Sequence, residues 1–123
     1  MGERRAPGGA GGGRETQAIL LTGVGKRYDI VSCFAALTTV VAVDPNPLAP
    51  ARYAAQVRTG PPPIADPGYV PELARLCTEH GVGAVLPLTD LDIETLALAR
   101  EQGLLPALVP SSRVAHEIGR AHV

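Results

Sequence analysis

The chain has 123 residues, of which 46% are hydrophobic and 19% charged, with a formal net charge of -1 at pH 7. That length fits one domain of ordinary size, and the composition suits a packed core rather than a disordered polymer. The near-neutral balance gives no electrostatic reason to expect nucleic acid or an acidic membrane surface as partner, and no apolar run approaches the roughly 18 residues of a membrane span.

Residues 1–15 form a compositional block of their own. Gly8, Gly9, Gly11, Gly12 and Gly13 supply flexibility without an apolar face, so a disordered tail is expected there. Arg4 and Arg5 are followed by Gly and Ala rather than an apolar stretch, which argues against a secretory signal. From Gln17 the sequence alternates apolar runs with helical periodicity, the signature of βαβ units around a parallel sheet.

Ala18 to Leu21 is continuously apolar, as in a strand covered on both faces, and Gly23 and Gly25 break it. Ile30, Cys33, Phe34 and Leu37 fall at i, i+3, i+4 and i+7 and predict an amphipathic helix buried on that stripe. Val40 to Val43 reads as a second buried strand, ended by Asp44. The prolines from Pro45 to Pro63 exclude a long helix and leave room for a short edge strand near Gln56 to Thr59. Pro71 suits a first helical turn; Leu73, Leu76, Cys77 and His80 continue that helix, and Gly81 stops it. Ala84 to Leu86 is a third internal strand. Thr89 and Asp92 have capping-box spacing ahead of Ile93, Leu96 and Ala97. Ala107 to Val109 reads as another strand, and Ser111 or Ser112 as the cap of a last helix. The architecture expected is therefore α/β, three-layered and Rossmann-like, with a mainly parallel sheet of four or five strands. Cys33 and Cys77 both fall in helical segments, so a disulfide framework is not expected and a reducing cytoplasm is the default.

An open α/β sheet forms its ligand crevice at the C-terminal ends of its strands. Three segments lie there. In Thr22-Gly23-Val24-Gly25-Lys26-Arg27 the glycines allow a sharp turn and close ligand approach, the following helix start offers free N–H groups, and Lys26 and Arg27 add positive charge. A plain strand-to-helix turn with solvated cations is the competing reading. Asp44 lies about 20 positions after Gly23, where a dinucleotide-binding unit keeps an acid for the ribose. Against that, the third glycine position holds Tyr28, and Asp44-Pro45-Asn46-Pro47 can equally be a turn. Thr89, Asp90, Asp92 and Glu94 could hold a cation or a substrate amine, or simply cap a helix. Cys77 and His80 share a helical face without further ligands, so core packing is expected of them.

The segments Ile19 to Arg27, Val43 to Ala51, Asp66 to Tyr69, Leu86 to Glu94 and Val109 to Ser112 together resemble the N-terminal domain of the carbamoyl phosphate synthase large subunit-like ATP-grasp proteins. The five blocks follow that family's order and spacing and cover nearly everything from Gln17 to Gly119. The resemblance implies a Rossmann-like domain, residues 16–123, that precedes an ATP-grasp module and ends before it. In the family, ATP and magnesium activate a carboxylate as an acyl phosphate for attack by an amine, and this domain lends loops to the acceptor side. Carried over, Gly23, Gly25, Lys26 and Arg27 are glycine-loop residues, with Asp44, Thr89 and Asp90 at neighbouring strand ends. The groups that hold ATP and magnesium belong to the module, so neither is expected to bind tightly to this chain. The partner implied is that module, in cis or in trans, with a homodimer also open; the face that meets the module should be apolar. A small nucleotide- or dinucleotide-binding module and a non-catalytic docking domain are the other readings.

Overall fold

The computed structural model describes residues 17–109 together with His116. The expected N-terminal tail and the last helix lie outside the described residues. Four strands, β1 (Ala18–Thr22), β2 (Val40–Val43), β3 (Val57–Thr59) and β4 (Val82–Pro87), form one sheet in the order β3-β2-β1-β4. Every pairing is parallel: Ile19 faces Val40, Val41 faces Val57, and Leu21 faces Leu86. The predicted fifth strand is reduced to a single parallel bridge, Val85 with Ala107, held by Val85 N–H to the Pro106 carbonyl and Leu108 N–H to the Val85 carbonyl.

Parallel strands require crossovers, and these cover both faces. Alternate residues of each strand therefore feed two separate cores. Leu20, Val41, Val43 and Val85 pack under α2 (Tyr69–His80) and α3 (Ile93–Glu101) with Tyr69, Leu73, Leu76 and Leu96. Leu21, Val40 and Ala42 pack on the other face under α1 (Tyr28–Ala35) and the 3-10 turn Pro50–Ala54, with Val24, Val31, Ala51 and Ala55. The three layers expected from the apolar runs are thus formed, and the fold is Rossmann-like.

Helix α1 turns a different face inward from the one its stripe predicts. Val31 is its buried residue, with Phe34 and Ala35 partly buried, whereas Ile30, Cys33 and Leu37 are exposed. The helix has only two turns and ends at Ala35, so Leu37 falls beyond it and cannot complete the stripe. Helix α2 starts at Tyr69, carries Pro71 in its first turn and is capped by Gly81 at φ 64, as predicted. The capping box before α3 does not form. Thr89 Oγ1 accepts from Leu91 N–H at 3.2 Å, and Asp92 takes the N-cap position with its side chain turned away from the helix. Between α2 and α3 an apolar groove of about 550 Å³ is lined by Val70, Ala74, Leu98 and Leu104. Among the described residues no helix is long and apolar enough to cross a membrane.

The reassigned face of α1 has a direct consequence. Val31→Ala should destabilise the chain by about 2 kcal/mol, because it removes a fully buried side chain and leaves a cavity. Leu37→Ala should change stability by less than about 0.5 kcal/mol. Urea denaturation of both variants checks the pair; equal costs would return the helix to its predicted orientation.

Candidate functional site

After β3 the chain crosses back over β2 and β1 to place β4 on the far side of β1. The strand order therefore reverses between β1 and β4, and the loops leaving these two strands diverge around a crevice. The loop after β1 is Gly23 to Arg27 and the loop after β4 is Leu88 to Asp92. Between them lies a cleft of about 510 Å³ lined by Arg27, Pro87, Thr89, Asp90, Leu91 and Ile93.

The two loops are joined at their base. Leu88 N–H donates to the Thr22 carbonyl at 2.8 Å, continuing the β1–β4 pairing by one residue. Gly23 follows with φ 60 and Gly25 with φ 50, left-handed values that favour glycine. A Cβ on Gly23 would also overlap the Thr89 methyl, so close packing as well as backbone conformation selects glycine there. The helical ladder of α1 begins with Val31 N–H bonded to the Arg27 carbonyl; ahead of it Tyr28 N–H donates to the Lys26 carbonyl at 2.8 Å and Arg27 N–H to the Val24 carbonyl at 2.9 Å. Lys26 and Arg27 are exposed, and among the described residues neither is found in an ion pair. A second, shallower hollow of about 320 Å³ is lined by Lys26, Arg27, Tyr28, Asp29 and Ile30, so Arg27 stands between the two.

Of the residues predicted for the site, Arg27, Thr89 and Asp90 line one cleft, with Gly23 packed behind Thr89. Lys26 faces the smaller hollow. Asp44 has a different place: it is buried, its Oδ2 accepts from Gly25 N–H at 2.8 Å, and its Oδ1 accepts from Asn46 N–H at 2.8 Å. It ties the glycine loop to the turn after β2, and a ribose would have to compete with both backbone donors. Ala51 N–H completes the junction by donating to the Gly25 carbonyl at 3.0 Å. The carboxylates after β4 do not converge. Asp90 lines the cleft, Asp92 is buried, and Glu94 meets His116 Nδ1 at 3.2 Å on the exposed side of α3. Among the described residues no group of three metal-ligating side chains occurs. Cys77 is half-buried against the α2–α3 core, which pushes its thiol up to about 11, as core packing requires.

Sequence reasoning missed a buried polar group under the cleft. Tyr69 Oη donates to Asp92 Oδ2 at 2.7 Å, and Thr22 lies against the same pair. Thr22 Oγ1 and Asp92 Oδ1 are buried without a formed hydrogen bond. Burial holds the Asp92 carboxyl above the usual carboxylate range, although the Tyr69 hydroxyl and the nearby Thr22 hydroxyl favour its ionised form and pull it back. Burial, then the Asp92 charge, likewise raises the Tyr69 hydroxyl. A buried tyrosine always calls for a hydrogen-bond partner, and that signal was available; its partner 23 positions away was not.

Both carboxylates can be tested by substitution. Asp44→Ala leaves the Gly25 and Asn46 amides without their acceptor and should cost about 2 kcal/mol in urea denaturation; an unchanged midpoint would separate Asp44 from the loop's integrity. Asp92 has a folded pKa above its unfolded one, so the folded state holds this proton more tightly. Its contribution to stability is full below about pH 4 and is lost as pH rises through the raised folded value. The stability of Asp92→Asn relative to the parent should therefore increase from pH 4 to pH 7. A difference that is flat or falls over that range contradicts the assignment.

Comparison with known proteins agrees with this geometry. The fold is similar to part of the K. lactis urea amidolyase, at a TM-score of 0.63 and 14% identity over 84% of this chain and 7% of that one. It is similar to part of the Kluyveromyces lactis urea carboxylase, at 0.61 and 13% over 82% of this chain and 10% of that one. A third likeness is to Rhizobium etli pyruvate carboxylase, at 0.59 and 18% over 85% of this chain and 12% of that one. At such identities the likeness is one of fold, and the chain spans only 7% to 12% of those proteins' length. No curated protein matches the chain. Residues 19–105, more than two thirds of the sequence and including both cleft loops, match the family described as PylC-like, N-terminal domain, and the chain belongs to that family.

Proposed function

We propose that residues 16–123 are the N-terminal, substrate-side domain of an ATP-dependent carboxylate–amine ligase of the ATP-grasp type, related to the carbamoyl phosphate synthase-like enzymes and working in the cytoplasm. The observation that carries this reading is the cleft at the β1/β4 reversal, in which Arg27 stands across from Thr89 and Asp90 on a domain of the PylC-like N-terminal family. The fold's likeness to portions of much longer enzymes supports a domain that works beside others.

The division of labour follows from what the chain contains. Phosphoryl transfer is catalysed mostly by positioning and charge neutralisation, which needs several cations and a metal held against the triphosphate. Lys26 is the single lysine of the sequence, and the carboxylates after β4 point apart. These residues do not fit a magnesium–triphosphate site, so nucleotide activation is assigned to an ATP-grasp module, in cis or in trans. The role left for this domain is to hold the second substrate. The Arg27 guanidinium binds and orients a carboxylate or other small anion at the mouth of α1, while Asp90 on the facing wall adds the negative charge that attracts an amine. Gly23 and Gly25 keep the backbone low enough for the substrate to reach Arg27.

The test is magnesium–ATP turnover with a panel of amino and carboxylic acids, on the chain alone and with its ATP-grasp module supplied. The chain alone should release no ADP, and the pair should. Arg27→Ala should lower kcat/KM for the acceptor about tenfold, the loss of one charge-assisted hydrogen bond, and leave KM for ATP unchanged. Turnover by the chain alone, or an Arg27→Ala variant as active as the parent, would overturn the assignment.

A further inference from the structure

The two sides of the cleft differ in chemistry. The loop after β1 brings the Arg27 guanidinium, whereas the chain leaving β4 brings Pro87, Leu88, Leu91 and Ile93, with Thr89 and Asp90 set among them. Pro87, Leu88 and Ile93 are half-buried and show the cleft only part of their surface, but Leu91 is 80% exposed. Leu91 N–H donates to Thr89 Oγ1 at 3.2 Å, and Thr89 in turn lies against Gly23, so the leucine is anchored to the floor of the cleft. It belongs to neither core of the domain. A single exposed leucine needs no explanation. This one stands in a turn, where polar residues are usual, and continues an apolar wall that three other side chains begin.

A wall of this kind holds water poorly, and an apolar group laid on it gains by displacing that water. The volume of about 510 Å³ lies within the range of small-ligand sites, about 300 to 1,000 Å³, so the occupant is a small molecule. We propose that the substrate held by Arg27 carries a short aliphatic substituent, which packs on Leu91, Ile93 and Leu88 while its carboxylate meets the guanidinium. An anionic substituent is disfavoured: it would lose water against Leu91 and Ile93, and among the described residues that line the cleft Arg27 is the single cation. Binding energy is thereby divided. Arg27 fixes the charged end common to many acceptors, and the apolar wall selects among them by what that end carries. The position of the carboxylate rests on the functional reading given above; the selectivity of the wall is measured apart from it.

The experiment titrates the full chain with acetate, 4-methylpentanoate and inorganic phosphate, following the NMR shifts of the Thr89 and Leu91 amides. The parent is compared with Leu91→Ser and Arg27→Ala, both changes at exposed positions that leave the cores intact. 4-Methylpentanoate adds four carbons to acetate, and a fully buried methylene is worth about fourfold in affinity, so half-burial of the group predicts a preference of about tenfold. Leu91→Ser should reduce that preference at least about threefold. Equal affinity for the two carboxylates, a preference unchanged in Leu91→Ser, or no binding of 4-methylpentanoate overturns the inference. In those cases phosphate binding that weakens in Arg27→Ala still upholds the anion-holding role of Arg27. Conversely, a preference that depends on Leu91 but persists in Arg27→Ala, with no phosphate bound by the parent, upholds the apolar wall and counts against that role.

Discussion

A side chain on Gly23 would overlap the methyl of Thr89, so the loops after β1 and β4 meet at a separation that only glycine permits. The approach is enforced from below by the Leu88 to Thr22 backbone bond, and it determines where Arg27 emerges relative to Thr89 and Asp90. A wider separation would leave two unrelated turns on the rim of the sheet. The remaining loop contacts follow from this one: with Gly25 at a left-handed φ, its N–H turns toward Asp44 and its carbonyl toward Ala51, and the loops after β1 and β2 are drawn together.

The three-layer build supplies the stiffness that such an approach needs. β1 is central, paired on both edges and buried on both faces, so its last residue cannot shift without disturbing both cores. That rigidity places the crevice at the strand-order reversal beside a strand held on both edges and both faces. Polar groups buried directly beneath, Thr22, Tyr69 and Asp92, carry a desolvation cost that an apolar core would avoid.

On the proposed function this domain orients one substrate and leaves the nucleotide to an ATP-grasp module. The family match covers both loops of the cleft, and the structural likenesses are to small portions of far longer proteins. Together with the single lysine, this favours a chemistry divided between domains, with a preorganised cation and a facing carboxylate on one side and nucleotide activation on the other.

The strands were legible because a parallel strand buried on both faces has to be continuously apolar: Ala18 to Leu21 and Val40 to Val43 admit little else. Helix α2 was legible from Pro71 and Gly81, whose backbone preferences are local. The glycine loop and its neighbours Arg27, Thr89 and Asp90 could be named for the same reason. The rest was decided by contacts between residues far apart in the chain. Which face of α1 is buried depends on the 3-10 turn it packs against, and two helical turns are too short for periodicity to choose between Ile30 and Val31. Asp44 reads locally as a ribose acid or a turn residue, and only the folded chain brings Gly25 N–H to it across 19 positions. Asp92 reads locally as the acidic partner of a capping box with Thr89, but the fold puts it at the N-cap position and offers its carboxylate Tyr69 from another helix. Sequence determines which groups are available to bond; tertiary structure decides which bond is made, because competing partners of similar chemistry are separated only by where the chain puts them.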